Sequence, residues 1–177
     1  VVVVMTSDQQ QFPSLREWAA TCEAIARGEQ IVLIRKGGIA EGPDGFAVEA
    51  LRFALLPTLF HQHGGEPPAG DITVSVVCQL VKATEVPGTA NLTPLTPFHR
   101  YDPTQLATRM AYKPDRPLTL LAIQPMRLAQ PRTFSTNVVR PICRSWQSLP
   151  IDGAGLETTP ISPQPNMDQL LAVMATM

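Results

Sequence analysis

The sequence predicts an α+β domain: a curved, mainly antiparallel sheet or small β-barrel, with one N-terminal helix and one short internal helix. Three observations carry this. Eighteen prolines in 177 residues, about twice the usual share, disfavour a bundle of long helices and favour short strands joined by turns. The apolar runs 31–34, 53–56, 72–80 and 118–123 are short or alternate with a period of two, as strands do, and Gly/Pro-rich segments separate them. Hydrophobic residues make up 44% and charged ones 16%, below the roughly 25% charged that is usual. A chain of this length therefore buries one sizeable core.

Taken in order, residues 1–13 are a polar lead-in expected to be disordered; the four opening valines are too short for a signal-peptide core and lack a basic flank. A helix is predicted over 14–28. Ser14 and Glu17 have the spacing of a capping box, Leu15, Trp18, Ala19, Cys22, Ile25 and Ala26 recur on one face, and Gly28 supplies a left-handed stop. Glu17 and Glu23 fall off the apolar stripe, in solvent. Ile31 to Ile34 is an interior strand. Gly37 to Gly45 reads as a hairpin connection, with Phe46 to Val48 and Phe53 to Leu56 returning, bent near Glu49 and Arg52 and stopped by Pro57.

His63 to Gly70 is a loop. Asp71 to Lys82 is a long strand with Ile72, Val74, Val76, Cys78 and Leu80 on one face and Thr73, Ser75 and Gln79 on the other. Asp102 caps a short helix that starts at Pro103 and reaches Met110. Leu118 to Ile123 is a strand broken by Pro125 and resumed over 126–128, and Ile142 to Leu149, with Trp146, is the last. The single domain thus spans 14–150. Residues 151–177 are a linker followed by a weak helix over 167–177.

Charge is unevenly distributed. Residues 1–99 carry six Lys/Arg against ten Asp/Glu, residues 100–149 eight against two, and residues 150–177 none against three. The basic section suits a polyanion; its bland alternative is a solvated face. Cys22, Cys78 and Cys143 are odd in number and show no C-x-x-C, which points to buried thiols in a reducing cytoplasm. No apolar stretch is long enough to cross a membrane as a helix.

The candidate ligand site is Arg35, Lys36, Gly37 and Gly38 with Thr58, His61 and Gln62. Glycine amides approach an anion closely and arginine meets phosphate through two parallel bonds, although cations before glycines are also an ordinary hairpin exit. The reading turns on Arg35 and His61 opening into one pocket. Arg100, Lys113, Arg116 and Arg144 form the expected nucleic-acid section. There Tyr101, Tyr112 and Trp146 interleave with cations in the manner of base stacking, or else pack in the core. His61 and His63 lack the further ligands that zinc requires. No nucleophile elbow, nucleotide loop or strand-borne acid pair is present, so no catalytic residue, metal or cofactor is assigned.

The ordered motifs Leu15 to Ala19, Arg35 to Ile39, Leu56-Pro57-Thr58 with His61-Gln62, Lys113-Pro114, Arg116 to Leu118, Leu128 to Pro131 and Cys143 to Trp146 together resemble the bacterial family catalogued as domain of unknown function 1802, over roughly 14–149. Gln124-Pro125 and Leu59 depart from its pattern. The resemblance carries over no catalytic residue. It implies a part in nucleic-acid recognition, restriction or defence, with a nuclease-type partner protein, because some members are fused to restriction-endonuclease-like modules. By analogy the curved sheet is similar to PUA-like barrels. The expectation is a non-catalytic nucleic-acid or nucleotide binding module. The alternatives are a metal-dependent hydrolase or nuclease using His61, and a protein-interaction domain whose C-terminal segment docks on a partner.

Overall fold

In a computed structural model, residues 11–36, 45–58, 70–139 and 144–177 are described. The elements are β1 (Phe12–Trp18), α1 (Ala19–Ala26), β2 (Val32–Arg35), β3 (Arg52–Thr58), β4 (Ile72–Val86), a 3-10 helix (Thr93–Phe98), α2 (Pro103–Ala111), β5 (Leu118–Phe134), β6 (Trp146–Leu149), β7 (Thr158–Pro160) and α3 (Met167–Met174). The strands form one mixed, open seven-stranded sheet in the order β2-β5-β4-β3-β1-β6, with β7 added on β5. Among the described residues only the β1–β3 pair is parallel. No closing pair joins β2 to β6 among the described residues, so the small barrel expected from the sequence is instead a curled sheet.

The curl follows from the period of two. Leu33 of β2, Leu121 and Ile123 of β5, Cys78 of β4, Phe53 and Leu55 of β3, Leu15 of β1 and Trp146 of β6 share one core. Both ends of the strand order therefore meet inside. The alternate residues face outward into two further cores. Val32, Ile34, Leu120 and Ala122 pack under the 3-10 helix and α3. Phe12, Ala54, Leu56, Val74, Val77 and Leu149 form the third.

Several expectations are corrected. The helix predicted over 14–28 is a strand through Trp18 and a helix only from Ala19. Ser14 makes no cap; its hydroxyl donates to the Gln147 carbonyl across the β1–β6 pair at 2.6 Å. Phe12 and Pro13, placed in the disordered lead-in, already belong to β1. The helix stop does form at Gly28, with φ +75°. Its amide donates to Ile25 and that of Glu29 to Ala24, both at 2.9 Å, which satisfies the last carbonyls of α1.

β2 and β3 are not a hairpin: β2 pairs with β5, and β3 with β4 and β1. Most of the expected hairpin connection, 37–44, lies outside the described residues, as do Ile142 and Cys143 of the expected last strand. Residues 46–48 are not strand, and β3 continues through Pro57 to Thr58. A register shift between Val74 and Val76 moves Val74 to the outer core, while Val76 and Cys78 face the inner one. β5 runs unbroken through Pro125. That residue needs no amide, and its carbonyl accepts from the Ile161 amide at 3.0 Å.

Residues 151–177, expected as linker and weak helix, supply β7 and α3. Leu170 and Met174 are buried against the 3-10 helix side of the sheet, so this segment is seated on its own chain. No helix among the described residues is long and apolar enough to cross a membrane.

Candidate functional site

Strand parity brings charge to one end of the curl. Glu17 shares a face with Leu15 on β1, and Arg35 shares a face with Leu33 on β2. Both side chains therefore point inward where the two strands end. The Arg35 guanidinium donates from Nη1 to Glu17 Oε2 at 2.8 Å and to the Arg16 carbonyl at 3.0 Å, and from Nη2 to Ser145 Oγ at 2.7 Å. It thereby ties β2, one end of the strand order, to β1 and to the entry of β6. Its carbon lies 5.4 Å from the centre of the Phe46 ring.

Arg109 arrives from α2, whose start is fixed by Asp102 accepting from the amides of Thr104 and Gln105. Its Nη2 reaches Glu17 Oε1 at 3.2 Å, and its guanidinium carbon lies 3.9 Å from the Trp18 ring centre. Glu17 accepts further from the Trp18 amide at 3.0 Å and from the Tyr101 hydroxyl at 3.4 Å. Its side chain is wholly buried, against 12% exposed for Arg35 and 15% for Arg109. Burial alone would raise the carboxyl pKa. The charges of Arg109 and Arg35 and the Trp18 amide outweigh burial and hold it below its ordinary value. The group is a carboxylate at neutral pH.

The same side chains seal the outer edge of β2. The odd-numbered residues bond β5, which leaves the backbone groups of Val32 and Ile34 facing away. The Tyr101 hydroxyl accepts from the Ile34 amide at 3.3 Å, Arg109 Nη1 donates to the Ile34 carbonyl at 2.5 Å, and Gln30 Nε2 donates to the Val32 carbonyl at 2.9 Å. Side chains thus stand where another strand would bond, which keeps the edge closed to a foreign strand. Lys36, 3% exposed, donates to the Met110 carbonyl at 2.5 Å, and burial lowers its pKa.

Of the residues singled out in the sequence, Arg35 bonds Glu17 and Lys36 bonds the Met110 carbonyl. The pocket expected to join Arg35 to His61 lies, with His61, outside the described residues; within them Arg35 is held by Glu17. Its partner is a buried carboxylate that the sequence reading had placed in solvent. Gly37, Gly38, His61 and Gln62 lie outside the described residues. Thr58, half-buried, ends β3 opposite Trp18. Arg100, Lys113 and Arg144 are exposed and Arg116 half-buried. Tyr101 and Trp146 are core residues; the Trp146 ring nitrogen donates to the Ala47 carbonyl. Only Tyr112, 38% exposed with the Lys113 ammonium 5.3 Å from its ring centre, keeps a face for stacking.

Glu17, Arg109 and Ser145 escaped the sequence reading. The available signal was parity: a strand through Leu15 puts Glu17 inside, whereas a helix puts it out. Cys22 and Cys78 are buried free thiols whose pKa values burial raises, so neither is an activated nucleophile. Among the described residues no three His, Cys, Asp or Glu gather to hold a metal ion.

A family model described as domain of unknown function (DUF1802) matches residues 14–172. The chain belongs to that family. Among curated proteins none matches. Among solved structures the chain is similar to ASCH from Zymomonas mobilis, in one point variant at 12% identity and TM-score 0.48, covering 93% of this chain and 94% of that one. A second variant gives 12% and 0.47, with 92% and 96% covered. The unaltered protein gives 11% and 0.46, with 91% and 94% covered.

Proposed function

We propose that this DUF1802 member is a non-catalytic binding module for nucleic acid, with the strand-end cluster as its anchoring point for phosphate. One observation carries the reading: among the described residues, positive charge outnumbers negative where β1 and β2 end. Among those residues Arg35, Lys36 and Arg109 lie there against Glu17 and, acting on Lys36, Asp115. Surplus cations in a poorly hydrated mouth attract anions more strongly than the same cations on an open surface. The buried Arg35 Nε has no hydrogen-bond partner among the described residues and is a donor still to be used. Lys113 and Arg144, exposed, extend the charge outward, and Tyr112 offers a ring for stacking. Gly37, Gly38, Thr58, His61 and Gln62 are proposed to complete the contacts.

The test is binding of fluorescein-labelled single-stranded RNA, single-stranded DNA and duplex DNA over a salt series. The expected result is an affinity whose logarithm falls linearly with the logarithm of salt concentration. Lys113→Glu with Arg144→Glu should weaken it without moving the thermal midpoint. No binding to any of the three, or binding indifferent to salt and to both substitutions, would overturn the proposal.

A further inference from the structure

α2 covers the Glu17 cluster without belonging to the core. None of its residues is fully buried, while Leu106 and Met110 pack only partly against the neighbouring apolar cluster. Its firm attachments are polar and few. Arg109 meets Glu17, the Ile34 carbonyl and the Trp18 ring, and the Met110 carbonyl accepts from Lys36. Its two ends are sharply marked. Asp102 caps the start, and just past the end Lys113 has φ +45°, the one left-handed non-glycine residue among those described.

We infer that α2 is a lid latched shut by Glu17, which serves as an internal anion holding Arg35 and Arg109 in place of a ligand phosphate. This rests on the nucleic-acid reading and adds its regulation. A phosphate offers oxygens to the same guanidinium forks that the carboxylate now fills. Opening α2 frees Arg109 from Glu17 and the Ile34 carbonyl, and Lys36 from the Met110 carbonyl, and a phosphate accepts from these freed donors in their place. Until then the closed population lowers the apparent affinity in proportion to its share.

The test uses the full chain with Glu17→Gln, which keeps the side-chain length and an acceptor for the Trp18 amide but removes the charge. Two readouts are taken: hydrogen exchange of residues 103–111 against β4 and β5, and binding of a fluorescein-labelled single strand of about 12 nucleotides, as RNA and as DNA. The expected result is exchange in α2 that rises by about tenfold or more beyond any rise that lowered global stability gives β4 and β5, and binding tighter by about tenfold. Exchange in α2 that is unaltered, or that rises no more than exchange in the sheet, overturns the latch. So does binding by the native chain that Glu17→Gln leaves no tighter. Selective opening with no binding by either protein upholds the lid and overturns the nucleic-acid reading instead. Should the variant fail to fold, the native chain in a low-urea series decides: α2 exchange insensitive to urea supports the lid, and exchange only through global unfolding overturns it.

Discussion

The β4–β5 ribbon and the Glu17 seam both place residues in the interior, by opposite means. Along the ribbon, thirteen register pairs run from Ile72–Phe134 to Val86–Leu118, and the faces are filled by residues such as Val76, Cys78, Leu120 and Leu121. Backbone bonds and apolar area suffice there. At the seam no ladder joins β2 to β1. A single carboxylate is shared by two guanidiniums and steadied by Tyr101 and the Trp18 amide. Removing apolar atoms from the ribbon side leaves a void, which is indifferent to protons and ions. Removing one charge from the seam leaves the others uncompensated. The two regions should therefore fail differently, although both are central.

The largest effects test that contrast. Glu17→Ala strands two guanidiniums and should destabilise the fold by about 3–5 kcal/mol, measured by urea unfolding at pH 7. Phe53→Ala, which empties a fully buried site beneath Trp146, should lose a similar amount, about 3–5 kcal/mol. Their pH dependence separates them. Glu17 has a folded-state pKa below its ordinary 4.5, so its stabilisation is complete above that value and drains as pH falls through the folded value. Phe53→Ala should keep this acid limb; Glu17→Ala should lack it. Equal acid limbs in both variants would mean that the carboxylate does not govern the seam.

A milder step sharpens the same titration. Burial, followed by the charge of Arg100, holds the His99 imidazole below its ordinary 6.5. Neutral His99 accepts from the Tyr101 amide at 3.2 Å, so protonation removes this acceptor beside the seam. Its contribution is complete above 6.5 and is lost as pH falls from there through its lower folded value. His99→Asn, which keeps an acceptor for that amide, should flatten the loss that begins near pH 6.5 while leaving the Glu17 limb below 4.5. A melting-temperature profile from pH 8 to 3 reads both.

The contrast also explains which parts of the molecule were legible in the sequence. The strands over 118–123, 72–80 and 31–34 and the Asp102 cap all report local physics, and each formed, although the register shift after Val74 breaks the single face expected along 72–80. The 14–18 segment was misread because its residues satisfy two periods at once. Ser14-x-x-Glu17 has the spacing of a helix cap, while Leu15 and Glu17 share a strand face. Pairing with β3 and β6, forty and more than a hundred and thirty residues away (Ser14 with Ala54 and with Gln147), decided between them. Arg35 was rightly singled out as a strand-end cation. Its partner could not be read, because Glu17 becomes internal only once that segment is a strand. Pro125 misled for a related reason: a proline breaks a strand only where its amide is required, and the approach of residue 161 is invisible locally.

The hinge between these two regimes is Gly28, where α1 ends on the C-terminal segment. A Cβ there would lie 2.6 Å from the Ser162 carbonyl, and the φ of +75° disfavours any side chain. The Gln164 amide also donates to the Gly28 carbonyl at 2.7 Å. Gly28→Ala should destabilise by about 2 kcal/mol, above the 1 kcal/mol or so expected from φ alone. The added part should disappear when the chain ends before Ser162. An equal penalty in both lengths would show that backbone conformation, and not the approach of 161–164, fixes this glycine.

The smallest effect belongs to the lid. Asp102 accepts from the amides of Thr104 and Gln105 at 2.9 and 3.1 Å, in solvent, at the start of a helix with no fully buried residue. Asp102→Ala should cost about 1 kcal/mol of local helix stability. The global urea midpoint should move by less than that if α2 opens on its own, because the unfolding of the sheet does not then require the helix to be intact. Hydrogen exchange over 103–111 should instead record the whole loss, about fivefold faster for 1 kcal/mol. A global midpoint that falls by the full amount would make α2 part of the same cooperative unit as the seam, and the difference in mechanism between seam and ribbon would then carry no difference in motion.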